Sequence, residues 1–161
     1  MYIGDTLARR AIYSPDRLAV VDAGKAPRPH YTYAQLNERA NRFANWLRDV
    51  AGITKGDRVG IVAFDGVEFL DAFFACGKLG AILACYNWRM HWRELVQVMD
   101  DTTPRVLIFS DEFKDSIAQA LPHAPNVTYT LHIEGEGIPG SRHFESALQA
   151  APADPVTTES V

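Results

Sequence analysis

Six residues, Gly135-Glu-Gly-Ile-Pro-Gly140, carry the G-x-G-x-x-G spacing of a loop that cradles a pyrophosphate, and they follow an expected strand. Such a loop works through backbone N–H groups aimed at the phosphates and a helix that opens directly behind them. Here Glu136 would set a negative charge against the phosphates, and Pro139 removes one donor. No further strand is expected to follow and bring an acid to a ribose, so the segment is read as a surface loop. The paired carboxylates Asp100-Asp101 and Asp111-Glu112 fall at expected helix ends, where capping and the helix dipole account for them. No P-loop, no G-x-S-x-G elbow and no H-E-x-x-H motif occurs.

Cys76 and Cys85 fall in an expected helix and the strand after it, and are read as reduced, core-packed thiols of a cytoplasmic protein. The five histidines, at positions 30, 91, 123, 132 and 143, show no ligand spacing, so no metal site is expected. By these residues alone the sequence names no reaction.

Bulk properties narrow the class. At 161 residues the chain makes one domain or a piece of a larger one, and 47% hydrophobic with 22% charged residues is ordinary for a soluble fold. The net charge is -4 and the 16 Lys and Arg are scattered, which argues against a nucleic-acid partner. Met1 to Thr6 lacks the basic and apolar segments of a signal peptide, and no apolar run approaches the ~20 residues that cross a bilayer.

The elements that must position any chemistry centre on residues 57–90. Val59, Ile61, Val62, Ala63 and Phe64 form a nearly unbroken apolar run, which suits a strand covered on both faces. Asp65-Gly66 turns the chain into a helix from Glu68 to Leu79, apolar nearly all round and expected to be buried. Gly80 ends it, and residues 81–86 read as a second buried strand, completing a βαβ unit.

Before this unit, Ile3, Leu7, Ala8, Ala11 and Ile12 share a helical face, and Leu18 to Asp22 pairs with Tyr31-Thr32 as a hairpin. Thr32 and Gln35 fit a capping box that opens a helix to Ala51, with Leu36, Ala40, Phe43, Ala44 and Leu47 inward and Asn37, Glu38, Asn41, Asn45 and Arg48 outward. After it come an Asn87-Trp88-Arg89-Met90 corner, a helix from His91 to Asp101, and a strand over Val106–Phe109. Ser110-Asp111 is read as the cap of the next helix. A strand over Val127–Ile133, the glycine loop and a helix over Phe144–Ala150 complete the order. Residues 151–161 have two prolines and no periodicity, and read as an unanchored linker. Alternating strands and helices imply a layered α/β fold with a mainly parallel sheet flanked by helices, preceded by a small hairpin.

The succession of segments resembles the adenylate-forming (AMP-binding) enzyme superfamily. Tyr31-Thr-Tyr-Ala-Gln-Leu36 with Asn37 to Ala44 is similar to its first block. Lys55-Gly-Asp-Arg-Val-Gly-Ile61 resembles the strand entry that follows. Phe69 to Ala75, Gly77-Lys-Leu-Gly-Ala81 and Tyr86-Asn-Trp-Arg-Met90 resemble its second block, usually Lys-x-Gly-Ala…Pro-Leu-Asn-x-Arg-Leu. The likeness is good over residues 3–115 and looser beyond. Cys85 stands where the family usually has proline and Tyr86 where it has a small aliphatic residue, which puts the local backbone path in question.

The resemblance implies the N-terminal part of an acyl-CoA synthetase, a ligase of the fatty or aryl acid branch. It implies residues 1–150 as a subdomain of the large N-terminal domain and 151–161 as a linker towards an ATP-binding loop outside this sequence. It further implies a carboxylic acid substrate, with ATP, Mg²⁺ and CoA used by the full-length enzyme and none bound by this segment. The remainder of the ligase is then its partner, and self-association through exposed faces is expected. Arg89 occupies the place of the family arginine that can face the CoA nucleotide, and a guanidinium offers a phosphate a planar fork of donors. No catalytic or metal-binding residue is carried over. Alternative readings are a stand-alone, non-catalytic α/β binding module, a segment of a nonribosomal adenylation domain, and a flavodoxin-like nucleotide binder.

Overall fold

The computed structural model describes residues 6–156. Helix α1 (Thr6–Tyr13) leads to a two-stranded antiparallel hairpin, β1 (Leu18–Val21) and β2 (His30–Thr32). Of the face expected for α1, Leu7 is buried and Ile12 is exposed, while Ile3 lies outside the described residues. Thr32 and Gln35 form the expected capping box at the start of α2 (Tyr33–Asp49). Then follow β3 (Arg58–Val62), α3 (Val67–Leu79), β4 (Ile82–Cys85), α4 (Trp92–Thr102) and β5 (Val106–Ser110). A short 3-10 turn (Asp111–Phe113) enters α5 (Lys114–Ala120). Another (Leu121–His123) precedes β6 (Tyr129–Ile133), β7 (Arg142–His143) and α6 (Phe144–Gln149). Strands β3 to β7 make one parallel sheet in the order β4-β3-β5-β6-β7. The two-residue strand β7 was not expected, because Arg142-His143 is too short to show a period.

The alternation along β5 defines the layers. Val106 and Ile108 point into one core with Phe43, Leu47, Ala72, Cys76, Phe144 and Leu148, from α2, α3 and α6. Leu107 and Phe109 point into the other, with Leu95, Met99 and Ile117 from α4 and α5. All five β5 residues are buried, as a strand covered on both faces must be. A third cluster, built on Leu7, Leu36, Ala40 and Val67, seats the hairpin and α1 against α2 and α3.

Six expectations from local sequence are corrected. Helix α3 is not buried all round: Phe73 is 57% exposed, whereas the charged Glu68, Asp71 and Lys78 are buried. Strand β4 is the edge of the sheet, so its end residues Ile82 and Cys85 are exposed. Cys76 alone is a core thiol, and burial pushes it up to about 12. Asn41 and Asn45, expected on the wet side of α2, are buried. Their side-chain amides donate to the carbonyls of Pro152, Ala153 and Asp154 at 2.9–3.1 Å, and Arg42 donates to that of Ala151. Residues 151–156 are therefore held along α2, with Ala151 and Val156 packed into the core, rather than unanchored. Residues 157–161 of the expected linker lie outside the described residues. Finally, Ser110 makes no side-chain cap for the following turn, and its hydroxyl instead accepts the Phe64 N–H at 3.3 Å.

Tyr86 is accommodated without distorting the sheet. A Cβ on Gly60 would lie 2.6 Å from Cε2 of the Tyr86 ring, so the missing side chain is what lets the ring lie against β3. Its hydroxyl shares a 2.6 Å hydrogen bond with Thr102.

Candidate functional site

The chain leaves β3 through α3 for one side of the sheet, and leaves β5 through α5 for the other. The carboxyl ends of β3 and β5 are thus a switch point, where open parallel sheets form a crevice. A cavity of about 400 Å³ lies there, roofed by the β1–β2 loop and lined by Asp22, Lys25, Phe64, Glu68, Ser110 and Glu134 among others. Asp22 accepts from the Gly24 and Val67 N–H groups, both at 3.2 Å, which ties the loop to the first turn of α3. Lys25 donates to the buried Glu68 and sits 3.8 Å from Asp22 and 3.6 Å from Glu134. Burial pulls the Lys25 pKa down, but the hydrogen bond and charge of Glu68, with the charges of Asp22 and Glu134, outweigh it and raise the pKa.

Five carboxylates (Asp22, Asp65, Glu68, Glu112 and Glu134) face this cavity against one lysine already bound to Glu68. A polyphosphate entering here would meet like charge. Among the described residues no group of three or more His, Cys, Asp or Glu is arranged to hold a metal ion. The cavity residues do not fit ATP and Mg²⁺.

The glycine loop is closed on the protein itself. Gly135, Gly137 and Gly140 all have positive φ, and the Gly137 N–H donates to Asp111 Oδ1 at 2.7 Å. That hydrogen bond, with the one from Lys114, holds the Asp111 carboxyl below its usual range. A donor that a dinucleotide loop would offer to phosphate is already engaged. Behind the loop, His132 Nδ1 lies 2.9 Å from Ser141 Oγ, and its ring meets His143 edge-on at 5.3 Å.

Burial, then the neighbouring His143, lowers the His132 pKa, while Asp111 opposes them. The fold therefore favours the neutral ring, and its stabilisation is present above the unfolded pKa of ~6.5 and is lost as pH falls below it. We expect the urea midpoint to drop between pH 7 and pH 5 by more in the wild type than in His132→Gln. Equal drops would show that another group carries the dependence.

Arg89, the candidate ligand residue, lies outside this cavity. The Asn87–Met90 turn is closed by the Met90 N–H on the Asn87 carbonyl and the Arg89 N–H on Asn87 Oδ1, both at 3.0 Å. Arg89 is exposed, with its guanidinium carbon 3.8 Å from the centroid of the Trp88 ring. Phe64, at the end of β3, belongs to the cavity wall and also touches Trp88, so the crevice and the turn adjoin.

A model of the AMP-binding enzyme family matches residues 7–160. The chain belongs to the AMP-binding enzyme family. A 3-oxocholest-4-en-26-oate–CoA ligase of Rhodococcus rhodochrous is 33% identical over 156 residues, covering 93% of this chain and 27% of that protein. A feruloyl-CoA synthase of an Amycolatopsis species is 37% identical over 116 residues, covering 72% and 23%. Among solved structures, the N-terminal domain of FACL13 from Mycobacterium tuberculosis superposes with a TM-score of 0.88 at 29% identity, covering 99% of this chain and 39% of that one. The chain thus spans about a quarter of the length of these curated relatives.

In this member of the family, sequence reasoning missed Lys25, Asp22 and Glu68. The available signal was Glu68, a lone acid opening an apolar helix; its buried state depends on a lysine 43 positions away. No helix of the described residues is long and apolar enough to cross a membrane.

Proposed function

We propose that this chain builds the first part of the large N-terminal domain of an ATP-dependent acyl-CoA synthetase. The whole enzyme would join a carboxylic acid to AMP with release of pyrophosphate, then pass the acyl group to CoA in the cytoplasm. The observation that carries this reading is the family match over residues 7–160 by a chain that spans only 27% of a CoA ligase. In this reading residues 1–150 are scaffold and 151–161 lead towards the ATP-binding loop. Adenylation needs donors and a metal around the phosphate where charge develops. The acid-lined crevice does not suit a polyphosphate, its one lysine being bound to Glu68, and in this reading ATP and Mg²⁺ are held by the remainder of the ligase. Arg89 is exposed, on a turn fixed by Asn87, and suits a CoA phosphate as a planar fork of donors. The exposed Phe73 and Ile82, with the free edge of β4, form a face for the remainder of the ligase to cover.

We expect no ATP–pyrophosphate exchange from the purified 161-residue protein with any acid, and concentration-dependent association in light scattering. Robust carboxylate-dependent exchange by residues 1–161 alone would overturn the reading.

A further inference from the structure

Arg89 is a long, exposed side chain, and such a guanidinium gains as a ligand contact only if its orientation is set before binding. The structure holds it through aromatic rings. The Arg89 guanidinium lies over the Trp88 ring. Trp88 in turn is braced by two phenylalanines from other elements. Phe64, after β3, meets it edge-on at 4.9 Å, and Phe113, before α5, stacks on it at 5.8 Å with planes 25° apart. Phe64 and Phe113 also touch one another at 5.0 Å. The three rings close a triangle that links the carboxyl ends of β3 and β5 to the turn after β4. The backbone of Arg89 is fixed separately, through its N–H on Asn87 Oδ1.

We infer that Trp88 is the positioning residue for Arg89, its ring fixing the guanidinium towards the nucleotide phosphates of CoA. This rests on the reading of Arg89 as a CoA contact. In this arrangement Trp88 acts through Arg89 and does not itself touch the ligand. The ring quadrupole attracts the cation and narrows its rotamers while leaving the N–H edges of the fork open. Phe64 and Phe113 keep the ring from following the arginine into solvent.

The test uses the complete ligase, with CoA and with pantetheine, which carries the same thiol but no nucleotide and no phosphate. Trp88→Leu is expected to raise the KM for CoA by roughly two- to fivefold at near-constant kcat, the size of an exposed cation–π contact. The preference for CoA over pantetheine should fall by the same factor and be restored by Trp88→Phe. Arg89→Ala should reduce it by about tenfold or more, as loss of a charged hydrogen bond does. If Arg89→Ala lowers the preference and Trp88→Leu leaves it unchanged, the positioning role is wrong and the CoA contact stands. If Arg89→Ala leaves it unchanged as well, the contact itself is wrong. Should Trp88→Leu fail to fold, nitrogen-edited NMR of the wild-type 161-residue protein decides. The Arg89 Nε–H resonance should be shifted upfield by the Trp88 ring current, and an unshifted resonance would overturn the inference.

Discussion

Replacing Arg39 by methionine is expected to cost about 3–5 kcal/mol, because it strands a buried carboxylate. Arg39, on α2, donates through Nε and Nη2 to Asp71 on α3 at 2.7–3.3 Å, and through Nη1 and Nη2 to Glu145 on α6. Its guanidinium also lies 5.3 Å from the Tyr31 ring of β2. One side chain thus joins three helices and the hairpin. The Asp71 side chain is 0% exposed, so water cannot replace the arginine. Burial pushes the Asp71 carboxyl up, against the pull of the Arg39 fork. For Arg39, burial pulls the pKa down, but Glu145 and Asp71 outweigh it and raise it.

The loss is large against the ~5–15 kcal/mol that holds a domain of this size together. It should depend on pH with a definite sign. An Asp whose folded pKa is raised is penalised as pH rises above its unfolded value of ~3.9, so the variant recovers relative stability on acidification. Arg39→Met/Asp71→Val should recover most of the loss at neutral pH, since an apolar pair replaces a buried ion pair at little cost. Urea unfolding of the four proteins of this cycle measures it. A single-variant loss below about 1 kcal/mol would mean that Asp71 is not sealed from solvent.

The second large effect lies in the glycine loop. Gly137 sits at φ 67°, and a Cβ there would fall within the van der Waals shells of His132 Nδ1 and Ser141 Oγ. Gly137→Ala therefore strains the backbone and breaks the His132–Ser141 and Gly137–Asp111 hydrogen bonds. The sum is about 3 kcal/mol. Gly140 has a comparable φ of 85°, but a Cβ on it would meet nothing within 4 Å. Gly140→Ala should cost only the backbone strain, about 1 kcal/mol. Thermal or urea unfolding of the two variants tests this difference, and equal losses would show that the packing behind Gly137 yields. The contrast assigns the G-x-G-x-x-G spacing to loop closure over His132 and Asp111.

Much of this protein was readable from short-range pattern. The capping box of Thr32 and Gln35 and the apolar runs of β3 and β5 depend on residues within a few positions of each other, and the hairpin pairs residues no more than 14 apart. The ordered segments from Tyr31 to Met90 sufficed to name the family. The errors have one physical origin. Apolar content reports that a segment can be buried, and not whether a neighbour covers it. Phe73 and Ile82 therefore passed for core, although β4 ends the sheet. Polar content has the converse defect. Asn41, Asn45 and Asp71 passed for solvent-facing or went unremarked, although inside the fold the two amide NH2 groups donate to backbone carbonyls 107 to 112 residues away and Asp71 accepts from an arginine 32 residues away.

The sequence by itself determined the main elements, β7 apart, with their order and the parallel sheet, because those follow from local propensity and period, and it pointed to the family through the resemblance of its ordered segments. Only the tertiary structure decided which faces are covered, which charges are buried in pairs, and that Arg89 rests on a braced tryptophan beside the crevice. Apart from the adjacent Trp88–Arg89 pair, those are long-range contacts, fixed by how the chain closes on itself.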